Sequence, residues 1–525
     1  MGEIHPRAVE EFRNRPRDNH DWMKKLKHKE LNEALRSIGV EIDRCDERLD
    51  KHQKVSILLG IMYKTFAFWL DMGLGKTRVA LELLRYWMKM KECKIALVIA
   101  PSETILFGWE AQIKRFKIKL PYITLPNSSS AEKWDQLAEF EYGIILATFP
   151  GVTRMVSKPV EKKRKSGKVE VKLTIVPSLM KRLAKMCGAF IMDEATLLSN
   201  LHSLNYKFCN QVRKYTDICY ELTGRPFGKD PIKLWSQLYL IDRGETLGDT
   251  LGIFRAAFYE ENWNYWGGRE YTLKSKYKKT LKRIIKHRSI QYSEEECGIK
   301  HKVRNQCEVV LLPKEATAYY EEQVKKVMRE HAGYSERKNA FLRMRQVSSG
   351  FLGFKNDEDG SRAEIAFAEN PKLERLLELI DQMPPNRKFV VFHEFIYSGK
   401  VISAALTKKG IQHGCLRGGT VDHHRIRHRF ASDVEYKGLV INHKVGAYGT
   451  DGLQDVANYC FIYEAPVAPD ANEQMRKRLP RKGQKLTVHE YDLVCKGTVD
   501  TQILNAHKKG DNLFKEIIRG NYDRY

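Results

Sequence analysis

Ten cysteines occur without a single C-x-x-C pair, so no zinc-ligand spacing is present. Free thiols in a chain of 525 residues suit a reducing cytosol and argue against a disulfide-framed secreted domain. No run of about 18 apolar residues exists, so no membrane span is expected. Met1 to Phe12 has no apolar stretch like that of a signal peptide. Acid is the other shortage: 66 Asp and Glu face 91 Lys and Arg, leaving a formal net charge of +25. Such an excess points to a polyanionic partner, most simply nucleic acid; the plainer alternative is a generally basic soluble protein. An apolar content of 42% still supports real cores, and the length allows two or three domains.

What is present is organised around residues 69–77, Trp-Leu-Asp-Met-Gly-Leu-Gly-Lys-Thr. Phe66 to Leu70 is short, apolar and aromatic-rich, like a core strand, and Val79, Leu83, Leu84 and Trp87 then recur at helical spacing. Gly73 and Gly75 allow the backbone to approach a ligand closely. N–H groups at the helix start can hold phosphate oxygens. In such a turn Lys76 neutralises the β- and γ-phosphates of ATP, and the Thr77 hydroxyl ligates Mg²⁺. The full G-x-x-x-x-G-K-[ST] pattern wants glycine where this chain has Leu70. An ordinary glycine turn before an amphipathic helix is the competing reading.

Partners for the turn lie downstream. Gly188–Met192 reads as an apolar strand running into Asp193-Glu194, and carboxylates at strand C-termini sit where open α/β sheets bind ligands. Asp193 is the candidate Mg²⁺ ligand and Glu194 the residue that positions or deprotonates water; a surface acidic pair is the alternative. Gln474, Arg478, Arg481 and Gln484 form a Q-x-x-x-R-x-x-R-x-G-Q array, otherwise a solvated basic stretch. Ile95–Ala100 and Gly143–Thr148 read as further strands, with a helix over Ile105 to Phe116 between them. This alternation argues for a parallel sheet covered on both faces.

These residues resemble the Snf-type (Swi/Snf-related) DNA-dependent ATPases of helicase superfamily two. Besides Asp71–Thr77, the resemblance rests on Leu222-Thr223-Gly224-Arg225-Pro226, on Pro101 followed by Trp109, Glu110 and Phe116, and on Gln474–Gln484. His393-Glu394-Phe395, Gly418-Gly419-Thr420 and Gly497-Thr498-Val499 also fall in the family's order. The segment Lys444, Gly446, Gly449, Thr450, Asp451 departs from it: Ala447 replaces a glycine and Asp451 an asparagine. The resemblance covers roughly residues 48–510.

The resemblance implies an α/β fold of two RecA-like parallel-sheet lobes with helical insertions between them. The expected division is a charged N-terminal leader over 1–47, helical or partly disordered, and a first, ATP-binding lobe over 48–228. A helical protrusion or inter-lobe region over 229–369 and a second lobe over 370–525 follow. By the same resemblance Gln53 reads adenine, and Met72, Gly73, Leu74, Gly75, Lys76, Thr77 and Gln474 contact the nucleotide. Arg478 and Arg481 meet the γ-phosphate, while Ser102, Thr148, Arg225 and Lys444 contact nucleic acid. The implied activity is ATP-dependent translocation along nucleic acid, duplex DNA first. A strand-separating helicase on branched DNA or RNA is the second reading, and a non-catalytic basic scaffold the third. The compact form is similar to viral or bacterial members, acting in the cytoplasm, with a protein partner for targeting and no membrane.

Two stretches stand outside these motifs. Residues 157–176 carry seven Lys or Arg around Ser166-Gly167, with Val169, Val171 and Leu173 alternating; this reads as an inserted basic hairpin, gripping phosphate or wedging a duplex, or else a solvated loop. Residues 229–300 show no strand pattern, hold several aromatics, and end in Lys274–Arg288 with eight Lys or Arg and no acid.

Overall fold

The computed structural model describes residues 5–40, 49–125, 128–163, 169–224, 233–263, 269–329, 333–355, 362–418, 420, 422–446 and 452–509. Two compact units appear, Met1–Ile299 and Lys300–Tyr525. In chain order the first holds β1 (Thr65–Leu70), β2 (Ile95–Ala100), β3 (Tyr122–Thr124), β4 (Gly143–Thr148), β5 (Ser157–Lys163), β6 (Val169–Ile175), β7 (Ala189–Asp193), β8 (Ile218–Thr223), β9 (Tyr259–Trp263), β10 (Arg269–Leu273) and β11 (Ser289–Tyr292).

Seven of these strands form one sheet in the order β11-β1-β8-β7-β2-β4-β3, and every pairing in it is parallel. Parallel strands need crossovers that cover both faces, which is why β1, β2 and β7 are apolar at nearly every position. Alternate side chains feed two separate cores. Ala67, Trp69, Leu97, Ile99, Phe190 and Met192 belong to one; Phe66, Phe68, Ala96, Val98, Ala189 and Ile191 belong to the other. The pairs β5–β6 and β9–β10 stand apart as antiparallel hairpins.

Residues 5–40, read from sequence as a charged leader, carry the helices Pro6–Asn14 and His28–Ser37. Val9 and Phe12 join the first core, and Met23, Leu31 and Leu35 join the second. Arg13 Nε donates to the Ala257 carbonyl at 2.9 Å, tying this segment to a helix about 240 residues away.

The second unit contains β12 (Val303–Val310), β13 (Phe351–Lys355), β14 (Arg362–Ala366), β15 (Phe389–His393), β16 (Gln412–Leu416), β17 (Tyr436–Asn442), β18 (Tyr459–Ile462) and β19 (Val488–Cys495). Six form a parallel sheet in the order β12-β19-β18-β15-β17-β16, and β13–β14 is a hairpin. The two parallel-sheet α/β units are the fold class expected from the sequence. The segment 229–369, expected as one inter-lobe region, contributes to both sheets: β11 pairs with β1, and β12 pairs with β19. On the helix Pro371–Asp381, Lys372 is buried against Asp500 and also donates to the Tyr463 carbonyl at 3.3 Å.

Candidate nucleotide site

The glycine turn follows β1, which is held between β11 and β8. Gly73 (φ +83°) and Gly75 (φ +77°) are both left-handed, a conformation that side chains disfavour. A Cβ on Gly75 would also lie 2.3 Å from Gln53 Nε2. Gly75 caps the helix Lys76–Lys89, whose first turn has no acidic residue to compete with an anion. Lys76 Nζ curls back under the turn, donating to the carbonyls of Leu70 (2.8 Å) and Asp71 (3.4 Å).

The turn is braced from the helix Lys51–Tyr63. The ring Nε2 of His52 lies 2.8 Å from the Leu74 carbonyl, and Gln53 Nε2 donates to the same oxygen at 3.3 Å. A carbonyl only accepts, so His52 carries its proton on Nε2. Gln53 Oε1 accepts the Asp50 N–H at 2.9 Å. One end of the Gln53 amide holds the turn, and the other caps its own helix. His52 had no assigned role in the sequence; nothing in its local pattern marks it, since its partner is 22 residues away.

Asp193 ends β7, at the same C-terminal edge. Its Oδ2 accepts the Trp109 indole N–H at 2.8 Å and its Oδ1 accepts the Glu194 N–H at 2.9 Å. Burial pushes this carboxyl up to about 6; the Glu194 charge adds to the rise, while the Trp109 N–H and the Lys76 ammonium oppose it. Glu194 itself is left-handed at φ +50°, a strained setting of the kind that collects at functional sites. Gly224, just past β8, closes the group: a Cβ there would sit 3.8 Å from Lys76 Nζ and 3.6 Å from the Leu70 carbonyl. The structure therefore brings Gly73, Gly75, Lys76, Asp193, Glu194 and Gly224 together. Met72, Leu74 and Thr77 lie in the turn and the first helical turn with them.

The donor set fits a nucleoside triphosphate with Mg²⁺. A left-handed glycine cradle, a lysine at the helix start and one buried carboxylate are present. Among the described residues no group of three or more His, Cys, Asp and Glu is placed to hold a metal ion by itself. Mg²⁺ beside phosphates needs none, because it keeps waters and takes one or two carboxylates.

The residues expected to touch nucleic acid are placed as follows. Ser102 follows β2 and precedes the helix Glu103–Arg115; its Oγ is buried with no hydrogen-bond partner among the described residues. Thr148 ends β4 and caps the next helix, its Oγ1 accepting the Gly151 N–H at 3.1 Å. Both sit at C-terminal ends of strands of the first sheet, the edge that carries Asp193. Lys444 is exposed after β17, where its N–H donates to Asn442 Oδ1 at 3.2 Å. Arg225, Gly419 and the stretch 447–451 lie outside the described residues.

Gln474, Arg478 and Arg481 belong to the second unit. Gln474 is half-buried on the helix Pro469–Arg476. Arg478 and Arg481 are buried, and Arg481 Nε donates to the Lys477 carbonyl at 2.9 Å. Gln484 anchors the array through Nε2 to the Ala457 carbonyl at 2.9 Å.

A parallel sheet with a glycine turn, a following lysine and a carboxylate at the end of a second strand of the same sheet defines a phosphate-loop α/β protein. Within that class the chain belongs to the SNF2-related domain family, whose model matches residues 22–353. It is 22% identical over 464 residues to the putative ATP-dependent helicase/translocase YwqA of Bacillus subtilis, covering 86% of this chain and 46% of that protein. It is also 22% identical over 473 residues to the uncharacterized ATP-dependent helicase YqhH of the same organism, covering 85% of this chain and 75% of that one. The chain thus spans less than half the length of the first of these relatives. Among solved structures, the Sulfolobus solfataricus SWI2/SNF2 ATPase core in complex with dsDNA aligns over 92% of this chain and 95% of its own, at TM-score 0.40 and 21% identity.

Proposed function

We propose that this chain hydrolyses ATP to move along DNA, with duplex as its track. The observation that carries the reading is the meeting of the left-handed glycine cradle, Lys76, Asp193 and Glu194 at one sheet edge. In this reading Lys76 leaves its two backbone carbonyls for the β- and γ-phosphates. Glu194 orients and deprotonates the attacking water. Thr77 and Asp193 would hold Mg²⁺, which would supply neutralisation of the phosphate charge. Asp193 is a buried carboxyl whose proton is held up to about 6, so neighbouring positive charge favours the ionised form that a cation needs. Arg478 and Arg481 stabilise charge developing on the γ-phosphate, a contribution of about 10³–10⁵ in rate in phosphoryl-transfer systems.

Gln474 and Gln53 complete nucleotide contact, and Ser102, Thr148, Arg225 and Lys444 hold the nucleic-acid backbone. Differential affinity of the nucleotide states for the track then yields stepping. A cytoplasmic setting and a protein partner that supplies targeting belong to the same reading. No helix among the described residues is long and apolar enough to cross a membrane.

Strand separation is the second reading, and Trp263 favours it: the ring is 69% exposed on the β9–β10 hairpin, and exposed aromatics stack on unpaired bases. The deciding experiment compares ATP turnover with single-stranded, duplex and forked DNA and with RNA at one salt concentration, alongside triplex displacement and strand displacement. Duplex-stimulated turnover with triplex displacement is expected. Lys76→Ala and Glu194→Gln should abolish turnover and leave DNA binding intact; DNA-stimulated turnover persisting in either would overturn the reading.

A further inference from the structure

The β5–β6 hairpin plays no part in the nucleotide site, yet its two faces differ sharply in chemistry. The register pairs Lys158 with Thr174, Pro159 with Leu173, Val160 with Lys172 and Glu161 with Val171. Successive residues of a strand face opposite ways, so Lys158 and Lys172 share one face, one lysine from each strand. Pro159, Val169, Val171 and Leu173 share the other, together with Glu161 and Lys163. That second face is not packed into the fold: Val169, Val171 and Leu173 are 47%, 62% and 44% exposed. The base is closed by the Val176 N–H donating to the Val156 carbonyl at 2.8 Å, and the hairpin pairs with no strand of the large sheet. A lone two-stranded ribbon is marginal in water, and one with an uncovered apolar face gains by docking.

Charge decides what it docks on. The two strands carry four lysines (158, 162, 163 and 172) against Glu161 and Glu170. The ribbon grows from the helix Phe149–Met155, whose cap is Thr148, one of the residues expected on the nucleic-acid track. Width decides where. Two strands about 4.8 Å apart, with their side chains, fill a major groove about 12 Å wide and exceed a minor groove about 6 Å wide.

We propose that the β5–β6 ribbon lies in the major groove of duplex DNA. Its more apolar face meets the groove floor, where thymine methyls offer apolar contact and the cytosine amino group offers Glu161 a donor. Lys158 and Lys172, on the opposite face and on different strands, reach over the two ribbon edges to phosphates on the two groove walls. The ribbon keeps the motor in register with the groove.

The inference rests on the proposed DNA-translocase reading, and the test separates the two. In the full chain, Lys158→Ala/Lys172→Ala removes two phosphate contacts. The slope of log affinity for duplex against log salt should become shallower by about 1.8, at about 0.9 per contact, with affinity lower by tens of fold near 0.1 M salt. Val171→Ser/Leu173→Ser should weaken duplex binding while leaving that slope unchanged. Methyl green, a major-groove ligand, should compete with the wild-type chain more strongly than with either variant, and netropsin, a minor-groove ligand, should compete equally with all three. DNA-independent ATP turnover should be the same in all three, showing that the fold is intact.

Wild-type protein that neither binds duplex nor is stimulated by it would defeat the translocase reading itself. Wild-type protein that does both, with variants matching it in slope, affinity and methyl green sensitivity, would defeat the ribbon proposal alone. Weaker binding to another protein in place of DNA would do the same.

Discussion

Glu221 should make the first unit lose stability as pH rises. It lies in the middle of β8, fully buried, between Ala67 of β1 and Met192 of β7. One carboxyl oxygen accepts the Trp69 indole N–H at 3.2 Å; the other has no hydrogen-bond partner among the described residues. Burial pushes this carboxyl from an ordinary 4.5 up to about 8, with the Trp69 N–H pulling back. Between those two values the folded chain holds a proton that the unfolded chain has released. Stability therefore falls with rising pH, by up to about 1.4 kcal/mol per pH unit across that window. At pH 5 little is lost; by pH 7 the cost is on the order of 3 kcal/mol, and above pH 8 the curve levels. Glu221→Gln keeps an acceptor for Trp69 and carries no charge. The variant should match the wild type near pH 5 and exceed it by about 3 kcal/mol at pH 7. Hydrogen exchange of the β1, β7 and β8 amides, or denaturant unfolding followed through Trp69, between pH 5 and 8 reads the difference. Parallel pH curves for the two proteins would refute the assignment of a buried, protonated carboxyl.

Two further substitutions probe the nucleotide site. Trp109→Phe keeps the buried ring but removes the N–H held 2.8 Å from Asp193. A hydrogen bond to a charged group is worth about 1.5–3 kcal/mol, so the carboxyl should rise further above 6 and turnover at pH 7 should fall about 2–15-fold. The acidic limb of the pH–rate profile should move to higher pH, and an unmoved limb would contradict the role given to Trp109. Gly75→Ala meets both a left-handed backbone and the Gln53 amide, and nucleotide affinity measured with a fluorescent ATP analogue should drop at least tenfold. In a Gln53→Ala background Gly75→Ala meets no amide but keeps the dihedral, so affinity should still fall below that of Gln53→Ala alone; no further loss would show that the backbone conformation is immaterial.

Much of the fold was legible because its strands are continuous apolar runs. Ile95–Ala100 and Gly143–Thr148 occur over the residues read from the sequence, and β1 and β7 within a residue of them. Buried parallel strands need no alternation, so an unbroken run bounded by polar residues identifies them. The edges were harder. β11 is four residues, Ser289–Tyr292, directly after a basic run, and becomes a strand only because β1 offers it an edge. β12 begins at Val303 among exposed residues, and its only adjacent apolar pair is Val309–Val310. Val9 and Phe12 lie one helical turn apart in a charged stretch, too thin a pattern to announce that they close a core.

The candidate site divides along the same line. Lys76, Asp193 and Glu194 announce themselves, because phosphate chemistry needs those residue types at a glycine turn and a strand end. The residues that set their electrostatics do not. Trp109 meets Asp193 across 84 positions, Trp69 meets Glu221 across 152, and His52 meets Leu74 across 22. None of these pairings has a spacing rule, since each follows from which strands become neighbours in the sheet. Sheet order places β7 between β2 and β8, so the helix after β2 brings Trp109 to Asp193. Topology, more than local pattern, therefore decides at what pH the buried carboxylate ionises, which explains why the reaction class is readable from a short motif while its pH dependence requires the fold.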